Sequence, residues 1–138
     1  MRILGLDYGS KRIGVAICDE LGIIAQALGT ITRKNRRQDL QAIDEFIKKY
    51  DVEKIVIGYP IRLDGTEGIQ CEKTNQFIKI LESNFPLPVI RWEEALTTKD
   101  AESILIETNT RRKKRKNVVD KIAAGLILQG YLNSLNPS

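Results

Sequence analysis

The sequence predicts an α/β fold: a five-stranded mixed sheet in which a three-strand antiparallel meander is followed by two parallel strands, flanked by about four helices. Three observations predict it. The first three strand-like segments are joined by short turns. The apolar period then changes from two to about 3.6 at Asp39. Each later apolar run is separated from the next by a helical stretch, the mark of parallel crossovers. The expected order is β-β-β-α-β-α-β-α-α over 138 residues, read as a single domain, 1–138, with a core of its own.

The chain opens on Ile3-Leu4-Gly5-Leu6-Asp7-Tyr8-Gly9-Ser10. As a strand, this puts Ile3, Gly5 and Asp7 on one face and Leu4 and Leu6 on the other. Both faces are apolar until Asp7, as in a strand covered on both sides. Residues 12–18 form a second strand after a hairpin-like loop at 8–11. Residues 23–32 form a third after the turn Asp19-Glu20-Leu21-Gly22.

In residues 39–50, Leu40, Ile43, Phe46, Ile47 and Tyr50 share one helical face. Residues 54–58 are a short buried strand, followed by a loop rich in Gly, Pro and Asp. A helix is expected from about 66 to 84, with Ile69, Phe77, Ile78 and Leu81 inward. Pro86 and Pro88 punctuate, and residues 89–92 form the fifth strand, ending at Glu93-Glu94. Thr97-Thr98-Lys99-Asp100 matches a capping box opening a helix through Ala101, Ile104 and Leu105. Residues 107–116 contain no apolar side chain, so 107–117 is read as a flexible basic loop. A last helix runs from Asn117 to about Asn133. This order fits the ribonuclease H-like layout.

Composition excludes several classes. Hydrophobic residues at 42% and charged ones at 29% describe a globular rather than a disordered chain. No apolar run approaches the ~18 residues of a membrane span, and no basic lead into a long apolar core suggests a secretory signal. Cys18 and Cys71 lack metal-site spacing and are expected as reduced thiols in a cytoplasmic protein. There is no histidine. That removes the usual general base, the Ser-His and Cys-His pairs and the commonest zinc ligand.

The net charge of +4 is concentrated. Arg111, Arg112, Lys113, Lys114, Arg115 and Lys116 are six of the 22 basic residues, and the rest of the chain is slightly acidic. Arg33-Lys34-Asn35-Arg36-Arg37 is a second, smaller cluster.

Three acidic positions stand at element ends: Asp7 on the first strand, Glu93-Glu94 on the fifth, and Asp120 in the first turn of the last helix. Ligands of open α/β sheets gather at the carboxyl ends of parallel strands. At 100° per residue Asp120 falls between Ile127 and Tyr131, on the flank of Ala123 and Ala124. Each acid has an ordinary explanation: a turn starter at Asp7, solvated charge at Glu93 and Glu94, a first-turn acid at Asp120. Together, without histidine, they suit a hard cation, Mg²⁺ or Mn²⁺. Such an ion supports phosphodiester hydrolysis. The 111–116 segment would attract a polyanion, chiefly nucleic acid, unless it is only a solvated loop. Lys11 and Arg12 could reach a phosphate near Asp7 or could be plain surface residues.

Four motifs resemble the YqgF family, bacterial ribonuclease H-like proteins described as Holliday-junction-resolvase-like. The segment from Gly5 to Ala16, GLDYGSKRIGVA, is similar to that family's opening. Gly58-Tyr59-Pro60 with Asp64-Gly65-Thr66-Glu67-Gly68 resembles its Gly-Leu-Pro loop and Asp-Gly-Thr turn. Glu93-Glu94-Ala95-Leu96-Thr97-Thr98 resembles its Asp-Glu-Arg-Leu-Thr-Thr motif, and Val119-Asp120-Lys121-Ile122-Ala123-Ala124 its last-helix motif. The resemblance implies an acidic triad of Asp7, Glu94 and Asp120 that binds divalent metal. It also implies an endonuclease that trims the 5′ end of the small-subunit (16S) ribosomal RNA precursor. The partners implied are structured RNA and pre-ribosomal particles, for a monomer or weak homodimer. The alternatives are a resolvase of branched DNA, or a nucleic-acid-binding factor without catalysis. Ala95 stands where the family has Arg, which bears on activity rather than fold.

Overall fold

Strand β1 (Arg2–Tyr8) lies near the middle of the sheet, antiparallel to β2 (Arg12–Cys18), which pairs antiparallel with β3 (Ala25–Thr32). In this computed structural model the chain continues through α1 (Arg36–Tyr50), β4 (Val52–Tyr59), α2 (Ile69–Asn84), β5 (Val89–Glu93) and α3 (Arg112–Leu135). The structure describes residues 2–59, 68–93 and 112–135, and of 112–121 the backbone alone. β4 joins β1 in parallel and β5 joins β4 in parallel, so the order is β3-β2-β1-β4-β5. This is the expected meander with two parallel strands added, and three helices flank it among the described residues.

Strand alternation divides the apolar residues between two layers. Leu4, Leu6, Val15 and Ile57 pack with Ile43 of α1 and Phe77 and Leu81 of α2. Ile3, Ala16 and Val56 face the other way, against Ala124, Ile127, Leu128 and Leu132 of α3. A fully buried Leu or Ile contributes roughly 1.5–3 kcal/mol. Cys18 and Cys71 are buried and free. No helix among the described residues is long and apolar enough to cross a membrane.

Helix α3 is fastened to the outer edge of the sheet as well as to its face. The Gln129 amide donates to the Ile23 carbonyl and accepts from the Ala25 N–H, both at 2.8 Å. One side chain thus satisfies a donor and an acceptor that a free sheet edge would leave open.

Several boundaries differ from expectation, each for a local reason. β3 starts at Ala25 because the Asp19 carboxylate accepts the N–H groups of Ile23 and Ile24, at 2.8 and 3.2 Å, and keeps them in the turn. α1 starts at Arg36, before its first apolar residue, because Asn35 caps it by accepting from Gln38 N–H at 2.9 Å. α2 begins at Ile69 after Gly68.

The larger correction concerns the basic run. α3 begins at Arg112, so residues 112–116 are helical rather than a flexible loop. Lys and Arg are good helix formers, and extending a helix already packed elsewhere adds one hydrogen bond per residue fixed. Lack of apolar residues there shows that nothing needs burying, and says nothing against helix. The expected helix near 97–105 and the loop at 60–67 lie outside the described residues, as do Arg111 and Glu94.

Candidate active site

The parallel strands β1, β4 and β5 bring their carboxyl ends to one rim of the sheet. Asp7 sits there on β1, half-buried, on the face of Ile3 and Gly5 that α3 covers. Its cross-strand partner is Gly14, which has no side chain to crowd it.

The direction of α3 follows from two contacts. Lys54 Nζ, at the start of β4, donates to the Tyr131 hydroxyl at 3.1 Å. Four residues further along β4, the missing Cβ of Gly58 would strike Ile127. Ascending the strand means descending the helix, so α3 runs against β4 and β1 and its N-terminal end comes to the rim. At Gly5 the approach is closest, since an added Cβ would lie 2.8 Å from Leu128 Cβ and 3.2 Å from the Ala124 carbonyl oxygen.

Two residues of strand and four of helix each span roughly 6–7 Å. Asp7 lies two residues past Gly5, and position 120 lies four before Ala124. The α3 backbone at 120 therefore runs alongside the Asp7 end of β1. The helical face expected from the sequence is the one buried: Ala123, Ala124, Ile127 and Tyr131 all face the core.

Of the paired acids Glu93-Glu94, the structure describes the first. Glu93 is exposed and follows Arg91, at 3.4 Å, on the α1/α2 side. Arg91 is held there by the Tyr59 ring, 4.0 Å from its guanidinium carbon, and by Asn75 at 3.2 Å. Trp92 takes the opposite, α3 face, edge-on to Tyr131. Glu93 is thus on the wrong side to join Asp7. Among the described residues no three His, Cys, Asp or Glu side chains meet; Glu94 and the side chain of Asp120 fall outside them.

Lys11 and Arg12 occupy the β1–β2 loop and the first position of β2, exposed and half-buried. The loop is tight: Gly9 N–H donates to the Arg12 carbonyl at 2.9 Å, and a Cβ on Gly9 would lie 2.7 Å from that oxygen. Arg33 secures it, donating from Nη1 to the carbonyls of Gly9 at 2.9 Å and Ser10 at 3.2 Å, with its guanidinium over the Tyr8 ring at 4.5 Å. Gln70 donates to the Tyr8 carbonyl at 2.9 Å, and Tyr8 stacks on Phe77 with centroids 4.1 Å apart. Local pattern did not mark Arg33 as the brace of Asp7's hairpin, because Arg33 and the Gly9 carbonyl that it holds are 24 residues apart. The cluster at 33–37 was its only signal.

A mixed sheet of this order, with an acid ending its central parallel strand and a helix across the same face, defines the ribonuclease H-like class. Thermus thermophilus RuvC, solved in complex with a Holliday junction substrate, shares the fold at TM-score 0.57 and 13% identity, over 99% of this chain and 96% of that one. The Fowlpox virus resolvase, solved with Holliday junction DNA, matches at 0.56 and 16% over 99% of both chains. A family profile described as "RuvX: Holliday junction resolvase" matches residues 1–134, and the chain belongs to that family. A Syntrophus aciditrophicus protein named "Putative pre-16S rRNA nuclease" is 61% identical over 99% of this chain and 91% of its own length. A Bacillus subtilis protein of the same name is 49% identical over 99% of this chain and all of its own. The family is one of nucleases, so this chain is an enzyme that hydrolyses phosphodiester bonds.

Proposed function

We propose that this nuclease is a divalent-metal-dependent endonuclease that processes the 5′ end of the small-subunit ribosomal RNA precursor in the cytoplasm, on pre-ribosomal particles. What supports the metal site is the meeting of strand and helix ends at the sheet rim. A half-buried carboxylate, Asp7, stands near the end of a parallel strand, and the helix bearing Asp120 has its N-terminal end at that same rim. With Glu94, the next residue after Glu93 in the sequence, the three acids would supply an all-oxygen donor set. Such a set fits Mg²⁺ or Mn²⁺. When bound, the ion would lower the pKa of an attacking water and stabilise the leaving oxygen, services that this chain has no histidine to provide.

The chain's own residues do the rest. The carboxylates orient the site, and Gly14, opposite Asp7 on β2, adds no side chain beside it. The helical segment 112–116 opens α3 with five basic residues at its positive dipole end, one turn before Asp120. It draws a polyanion towards the acids rather than holding it elsewhere. Lys11, Arg12 and Arg111 add to that field.

The test is a cleavage assay with Mn²⁺ or Mg²⁺ on ribosomal RNA precursor and on a four-way DNA junction. Cleavage of the precursor at its 5′ side, abolished by EDTA, is the expected result; undiminished cutting in EDTA overturns the metal mechanism. Membership of a family described as Holliday junction resolvases favours a second reading, resolution of branched DNA. That reading requires two sites related by a two-fold axis, so a strictly monomeric protein that ignores the junction removes it.

A further inference from the structure

On the α1/α2 side of the β1–β2 hairpin lies a cavity of about 530 Å³, between that hairpin, the start of α1 and α2. Arg33, Lys34, Arg36 and Lys73 bring four basic side chains to its wall, against one acid, Asp39. Asp39 is buried, and it is already engaged. Its Oδ1 accepts from Lys34 N–H at 3.0 Å, and its Oδ2 lies 3.8 Å from Arg33 Nε. Arg33 is spent in the same way, on Asp39, the Tyr8 ring and the hairpin carbonyls. These two residues hold the wall together and offer little charge to a ligand.

Lys34, Arg36 and Lys73 remain. All three are exposed, and none makes a side-chain ion pair among the described residues. Three like charges round one concave wall repel each other, and the N-terminus of the 15-residue helix α1 adds to the positive potential. An anion bound against this wall relieves that repulsion. The volume exceeds what a lone inorganic phosphate needs and suits a nucleotide-sized group.

The cavity and Asp7 share a wall. Tyr8 and Ser10 line the cavity, while Asp7, next to Tyr8, points to the opposite face of the sheet. A strand lying across the rim and over the hairpin meets both. We infer that this cavity is a second contact for the RNA substrate. It takes a phosphodiester group of the single strand flanking the bond cut at Asp7, with Lys34, Arg36 and Lys73 as its ligands. The inference rests on the nuclease reading above.

The test compares two triple variants of the full chain, matched in charge removed. One is Lys34→Ala/Arg36→Ala/Lys73→Ala in the cavity. The other is Lys48→Ala/Lys49→Ala/Lys79→Ala, on exposed helix positions outside it. The affinity of each for a single-stranded oligoribonucleotide is measured across a salt series. Each lost contact removes about 0.7 from the slope of log affinity against log salt. The cavity variant therefore loses about 2 and binds at least tenfold more weakly at low salt, and its cleavage shows a raised KM at unchanged kcat. The matched variant loses less than half as much slope. Equal slopes in the two variants overturn the inference even where cleavage proceeds. A lowered slope in the cavity variant of a protein that cuts nothing sustains the RNA contact and removes the nuclease reading instead. Lys73→Glu alone, at an exposed position of α2, repeats the comparison should the triple variant melt early.

Discussion

The Cβ that Gly5 lacks would lie 2.8 Å from the Cβ of Leu128, so β1 and α3 meet at a distance only glycine permits. The spacing of the helix from the sheet at this point sets where its N-terminal end stands relative to Asp7.

Gly5→Ala is expected to destabilise the fold by about 1–3 kcal/mol, the usual range for an overpacked core. The Ala124 carbonyl oxygen, 3.2 Å from the added carbon, is backbone, so a rotamer change at Leu128 alone gives no relief. Denaturant melts measure the loss, and cleavage at a temperature where the variant is folded falls as well, because α3 is displaced at the rim. Trp92, the single tryptophan, packs against α3 and reports the shift in its fluorescence.

Asp7→Asn keeps the size of the side chain and removes its charge. Cleavage is expected to fall more than about a hundredfold, the scale of losing one group that stabilises transition-state charge. Affinity for RNA stays the same or rises, since a negative charge beside the phosphate is gone. A gel-shift titration beside the cleavage assay separates the two; parallel loss of binding and cutting would refute a catalytic role.

Arg33→Ala releases the Gly9 and Ser10 carbonyls and uncovers the Tyr8 ring. Hydrogen bonds from charged donors contribute about 1.5–3 kcal/mol, and the partly exposed position favours the lower end. Arg33→Lys is expected to restore little, because an ammonium that meets the two carbonyls has no plane to lay over the Tyr8 ring and no second nitrogen for Asp39. Thermal melts of both variants check this.

Asp19 makes the β2–β3 turn acid-sensitive. Hydrogen bonds from the backbone, that of Ile23 foremost, hold its carboxyl below the ordinary value of 3.8. A carboxyl lowered by folding supports the fold fully above its unfolded value, and that support is lost as pH falls through the lowered folded one. The protection factors of the Ile23 and Ile24 amides, which remove the intrinsic pH dependence of exchange, should therefore fall on acidification in that window. Asp19→Asn should abolish the dependence.

Much of the fold was legible from local pattern. Period two in residues 3–7 separates Leu4 and Leu6 from Ile3 and Gly5, and the same division appears between the two core layers. The α3 face of Ala123, Ala124 and Ile127 was legible for the same reason, since burial follows helical period. The start of α1 and the helical state of 112–116 were not, because caps and propensity act without apolar residues to mark them.

The order of the described elements, the absence of histidine, the acids near element ends and the density of charge at 111–116 can all be read along the chain. Each is a property of neighbouring residues or of composition. That Glu93 turns away with Arg91, that Gly5 and Gly58 let α3 lie close against the sheet, and that Arg33 braces the loop behind Asp7 emerges from the folded chain alone. Those are contacts between residues far apart in the chain. Side-chain packing and hydrogen-bond geometry select them, and no spacing along the sequence encodes them.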